Sequence, residues 1–139
     1  MVTVSYAYQF GYIRDLQGEP HPGFPLRIAN PHHPDQAVDV NAYLDSGAQR
    51  SLFQGWILKS IGLDLLDGPP KLYKSVLGFT IEGRLHLVRL SLPDLGDFAI
   101  EIGFSTGEIS RNLLGRDFFD LVQIGFRERY LSFYVTPTP

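Results

Sequence analysis

Apolar and polar residues alternate along most of this chain, and Gly and Pro break the alternation at short intervals. A period of two marks half-buried strands. Residues 2–10, rich in Val and Tyr, form the first predicted strand, and residues 11–23 a loop or loose hairpin connection. Two more strands are expected at 24–29 and 37–44, around a turn at 30–35. Between 51 and 66 the spacing changes. Leu52, Phe53, Trp56, Ile57, Ile61 and Leu65 recur at three and four residues, which predicts a short helix up to Gly62. Gly68-Pro69-Pro70 then breaks the chain. Residues 72–92 read as a long hairpin, with Gly78 and Gly83 permitting turns or bulges. A turn at 93–97, a strand at 98–104 and a loop at 105–111 follow, then a helical turn at 118–121. Residues 122–126 and 130–135 form a closing hairpin, and the tail 136–139 is expected to fray. Short strands with one or two brief helices imply an all-β barrel or sandwich.

Composition narrows the function classes. The 139 residues make one domain, 1–139, large enough for a real core but not for two. The hydrophobic share of 44% and charged share of 19% are those of an ordinary globular protein. A net charge of -3 with scattered Lys and Arg offers no basic stripe for nucleic acid and little for an anionic membrane surface. The absence of cysteine removes thiol nucleophiles and zinc-thiolate sites and fits a cytoplasmic protein. The N-terminus lacks the basic and continuous apolar regions of a signal peptide, and no stretch approaches the ~20 apolar residues that span a bilayer. His32-His33, flanked by prolines with no third ligand nearby, reads as a solvated turn rather than a metal site.

The candidate chemistry lies where the strand at 37–44 ends on a carboxylate. Asp45 is followed by Ser46 and Gly47, which let the backbone turn at once, and by Ala48. Taken alone, Asp-Ser-Gly is also what a polar turn after a strand looks like. Farther downstream comes Asn112-Leu113-Leu114-Gly115-Arg116-Asp117. Together, Leu-Asp-Ser-Gly-Ala and Leu-Leu-Gly-Arg-Asp resemble the retropepsin-like aspartic proteases, in the family's order and approximate spacing.

That resemblance implies a closed all-β barrel of the acid-protease type. Asp45 is the implied catalytic residue, and Leu113, Leu114, Gly115, Arg116 and Asp117 the segment that packs across it in a psi-shaped core. Ser46 is expected to brace the loops at the dyad, Gly47 to offer its carbonyl to a substrate amide, and Ala48 to keep the floor uncharged. Lys74, Ser75, Val76, Leu77, Gly78 and Phe79 are the candidate flap over a bound peptide. No metal or cofactor is implied.

Aspartic proteolysis needs two carboxylates sharing a proton about 3 Å apart. The chain has one Asp-Ser-Gly, and Asp64 and Asp67 lack both the motif and the strand leading in. A protease of this sequence therefore requires a homodimer, each chain giving Asp45 across a two-fold axis. Gln49 stands where viral members usually carry an acid, so the loop resembles cellular members, including the eukaryotic ubiquitin-shuttle type. Arg116 then needs another partner, and its expected role is structural. The termini carry no recognisable copy of the viral interface strands. A barrel that binds peptides without cleaving them is the alternative reading.

Overall fold

The computed structural model describes residues 3–75 and 77–138. The N-terminal strand β1 (Tyr8–Gly11) is followed by a small hairpin of β2 (Ile13–Arg14) and β3 (Pro20–His21). Next come β4 (Gly23–Ala29), β5 (Ala37–Leu44), β6 (Leu52–Phe53), helix α1 (Trp56–Ser60) and a 3-10 turn at Leu65–Asp67. The chain continues through β7 (Pro70–Lys74), β8 (Thr80–Leu92), β9 (Gly96–Ser105), β10 (Asn112–Leu114) and helix α2 (Arg116–Phe119). It ends with β11 (Val122–Arg127), a 3-10 turn at Glu128–Tyr130, and β12 (Ser132–Pro137).

Six strands close into a barrel in the order β4-β5-β10-β6-β9-β8, because β8 also pairs with β4 at Arg27↔Ser91 through Ala29↔Arg89. Closure removes the free edges that an open sheet of this size would expose. Alternation supplies the core: Phe24, Leu26 and Ile28 of β4 face inward while Pro25 and Arg27 face out. Phe24 sits where the barrel meets a second sheet, ordered β1-β12-β11, and packs edge-on against Phe10, Phe133 and Phe118. The all-β expectation holds.

Several expected elements shift, each for a tertiary reason. The first strand begins only at Tyr8; residues 3–6 leave the ladder, and the Tyr6 ring lies over Gly125, 6.1 Å from the Tyr134 ring. Met1 and Val2 lie outside the described residues. Leu52 and Phe53, helical by spacing, instead form β6. They pair in parallel with Gly103 and Phe104, and Leu52 also faces Leu113, so a barrel slot outweighs local periodicity. The helix is confined to Trp56–Ser60. Gly83 makes neither turn nor bulge, since it pairs with Lys71 on one side and with Ser105, at the end of that ladder, on the other. The helical turn comes earlier than expected, directly after Gly115. The tail does not fray at its start: Thr136 and Pro137 pair with Gln123 and Val122, and the Thr138 N–H donates to the Leu121 carbonyl.

Candidate active site

Asp45 sits immediately after β5, and β5 is paired in parallel with β10 at Ala42↔Asn112, Tyr43↔Leu113 and Leu44↔Leu114. On its other side β10 pairs antiparallel with β6. The segment carrying Asp45 thus leaves β5, loops, and returns as β6, with β10 threaded between the two arms. This is the psi arrangement. The Asp45 N–H donates to the Leu114 carbonyl at 2.9 Å, and the Ala48 N–H returns to the Asp45 carbonyl at 3.1 Å. The Gly47 N–H donates to Asp45 Oδ1 at 2.9 Å, which fixes the carboxylate. Among the described residues Oδ2 accepts no hydrogen bond from the protein, and Asp45 is only partly buried. One oxygen is held and the other is open to a water or a second acid. Two other acids are otherwise engaged: Asp64 Oδ1 caps the Leu66 N–H, and Asp117 is bound to Ser51.

Ser51 and Asp117 clamp the loop to the threaded strand. Ser51 is fully buried, and its N–H and hydroxyl both donate to Asp117, the hydroxyl at 2.7 Å. Its Oγ in turn accepts the Gly115 N–H at 3.0 Å, and the Arg116 N–H donates to the Ala48 carbonyl at 2.8 Å. Arg116 thus holds the loop through its backbone. Its side chain is exposed and makes no ion pair among the described residues, so the pairing work expected of it falls to Asp117.

Gly115 is required for contact. A Cβ there would lie 2.7 Å from the Ala48 carbonyl oxygen and 2.8 Å from the Arg50 carbonyl carbon, backbone atoms that cannot rotate away. We expect Gly115→Ala to cost about 2 kcal/mol, an overpacking penalty, in a urea unfolding curve.

The candidate flap is the turn between β7 and β8. Ser75 closes it, its N–H donating to the Phe79 carbonyl at 2.8 Å and its hydroxyl accepting the Phe79 N–H at 3.1 Å. Gly78 has a φ of +85°, and Leu77 and Phe79 are exposed. Val76 lies outside the described residues. Ser46 and Gly47 are exposed, and Ala48 is partly buried.

Two findings from known proteins bear on this geometry. No family model matches the chain, and no curated protein does. Among solved structures, a retropepsin-like aspartic protease from Rickettsia conorii aligns over 94% of this chain and 99% of its own, with a TM-score of 0.62 at 13% identity. The EIAV protease in complex with the inhibitor HBY-793 aligns over 72% of this chain and 86% of its own, with a TM-score of 0.53 at 17% identity. The chain has the retropepsin-like fold.

Within that fold three contributors escaped the sequence reading. Ser51 looks like an ordinary polar residue before an apolar pair. Asn112 accepts the Gln54 N–H and donates to the Asn41 carbonyl, so it ties both arms of the psi to β10. Tyr73 crosses from β7 toward the loop that follows Asp45, its hydroxyl 3.5 Å from the Ser51 carbonyl. The ring lies in a slot made by Gly83 and Gly103, where a Cβ would meet it at 2.8 Å or less. Glycines inside strands are the signal that could have pointed to it, since they mark close approach of another group.

Burial, with the charge of Asp117 next, pushes the Tyr73 hydroxyl up to about 12. An unfolded chain ionises this tyrosine near 10, so its contribution to stability is complete below pH 10 and is lost as the pH climbs toward 12. Tyr73→Phe should flatten that alkaline fall, measured as denaturant midpoints from pH 8 to 11.

Proposed function

We propose that this chain is an aspartic endopeptidase that acts as a homodimer, with Asp45 of each chain forming the catalytic pair. The observation that carries the reading is Asp45 itself, with Oδ1 anchored by the Gly47 N–H and Oδ2 unused, in a psi frame of the retropepsin-like fold. Two such carboxylates facing each other share one proton, since like charges that close cannot both ionise easily. The ionised member takes a proton from a water, which attacks the scissile carbonyl carbon. The protonated member donates to the carbonyl oxygen.

The neighbouring residues take supporting roles. Ser46 braces the two loops at the two-fold axis. Gly47 leaves its carbonyl free for a substrate amide, and Ala48 keeps the floor beside the pair uncharged. The turn from Lys74 to Phe79, with its exposed Leu77 and Phe79, covers an extended peptide and excludes water. Peptides with apolar side chains around the scissile bond suit these surfaces.

The test combines light scattering with peptide-library cleavage across a range of chain concentrations. Specific activity should rise with concentration and level off as dimer saturates. Added Asp45→Asn chain should remove activity more than in proportion, because mixed pairs carry only one competent acid. A strict monomer that cleaves nothing between pH ~4 and ~8, the range in which a split carboxylate pair acts, would overturn the proposal.

A further inference from the structure

Beside the candidate active site lies a cavity of about 300 Å³, lined by Tyr43, Arg111, Arg14, Asn41, Trp56 and Ser110, with Asp15 and Asp39 in its wall. Tyr43 in its lining lies two residues before Asp45, within about 7 Å along the chain. A peptide lying against Asp45 would therefore come within a side chain's reach of this cavity. Its volume of about 300 Å³ is enough to take one large side chain.

The hydrogen-bonding capacity left over in the cavity has a sign. Asp15 is only 10% exposed and is saturated. It accepts from the Gln17 and Glu19 N–H groups at 2.9 Å each, pairs with His21 Nε2 at 2.9 Å, and takes Arg111 Nη2 at 3.4 Å. The His21 hydrogen bond, followed by that of Glu19, holds the Asp15 carboxyl below the ordinary carboxylate range, so it remains an anion that fixes Arg111. Asp39 is engaged by Arg27 at 2.9 and 3.3 Å. Gln54 Oε1 is taken by the Trp56 indole N–H, and Asn112 Oδ1 by the Gln54 N–H.

The donors are less committed. Arg111 lies over the Tyr43 ring at 5.2 Å, is 40% exposed, and spends a single N–H on Asp15 among the described residues. Arg14 spends one on the Gly18 carbonyl. The Asn41 amide and Ser110 hydroxyl can serve either way, and Asp39, though its side chain is 72% exposed, is neutralised by its two-point contact with Arg27, so the charged groups with hydrogen-bonding capacity and no neutralising fork are the two guanidiniums. A guanidinium with free N–H groups and one face on an aromatic ring suits a carboxylate.

We propose that this cavity is a substrate subsite that selects an acidic side chain, with Arg111 as its specificity-determining residue and Asp15 as the residue that positions it. The proposal rests on the endopeptidase reading.

Peptides with a single Glu, or Gln in its place, at each position near the cleaved bond test it. At one position wild type should prefer Glu by about tenfold or more in kcat/KM, the value of one charge-assisted hydrogen bond. That ratio should fall to near one in Arg111→Gln and decrease in Arg14→Gln, which leaves the Asp15 contacts untouched. Equal cleavage of Glu and Gln peptides at every position, or a preference that survives Arg111→Gln, would overturn it. If wild type cleaves nothing, the endopeptidase reading fails instead. Calorimetric binding of the same peptides to the Asp45→Asn chain then decides the subsite: tighter binding of the Glu peptide upholds it, and equal binding overturns it.

Discussion

Replacing Asp45 with asparagine should lower kcat/KM for peptide cleavage by about 10³- to 10⁴-fold, the scale of a lost general acid–base group. The substitution separates chemistry from structure. An asparagine side-chain oxygen can still accept the Gly47 N–H that Asp45 Oδ1 now takes at 2.9 Å, so the loop keeps its local support. The backbone bonds from Asp45 to Leu114 and from Ala48 to Asp45 do not involve the side chain. What disappears is the ionisable oxygen, and with it both the base that takes the proton from water and the shared proton. The check is a fluorogenic peptide assay beside a thermal melt. A normal melt with cleavage lost is the expected pair; cleavage within tenfold of wild type would remove Asp45 from the chemistry.

The largest effect on stability is expected at Asp117. Its carboxylate takes the N–H and hydroxyl of Ser51 and the N–H of Phe118, and Ser51 is fully buried. Asp117→Ala leaves the Ser51 N–H without an acceptor and frees the hydroxyl that supports Gly115. The combined loss of charge-assisted hydrogen bonds and the orphaned buried donor should cost about 3 kcal/mol. For a domain of this size that lowers the melting temperature by about 10 °C. Asp117→Asn, which keeps one acceptor oxygen, should fall between the two. Because Ser51 also faces the Tyr73 hydroxyl, the alanine variant should loosen the acid loop and the flap arm together. Hydrogen exchange at Gly47, Ala48 and Tyr73 would register that coupling, and unchanged exchange there would refute it.

The parts of this molecule legible in its sequence are those encoded within a few consecutive residues. Strand alternation at Phe24, Leu26 and Ile28, the abrupt stop at Asp45-Ser46-Gly47, and Leu113-Leu114-Gly115 each carry their own signal. Their order along the chain was enough to expect the barrel. What escaped depends on residues far apart. β6 exists because Gly103, Phe104 and Leu113 offer it two neighbours, which no local spacing records. Ser51 acquires its role only when Asp117 arrives across 66 positions, and Arg111 meets Asp15 across 96. Gly83, which in sequence permits a turn or a bulge, instead makes room for the Tyr73 ring.

The strand nearest the C-terminus has one further consequence. β12 is flanked within its own chain by β1 on one side and β11 on the other, so neither edge is left to donate. A partner cannot take that strand without first unzipping a finished sheet. In the dimer proposed above, two chains therefore meet as completed bodies, and partners can be exchanged without unfolding. Each chain folds as a first-order event, and association raises the melting temperature only where the chains are concentrated enough to pair. Proteolysis answers still more directly to how many chains share a volume. Dilution would then switch the enzyme off and crowding switch it on, with no molecule destroyed in either direction.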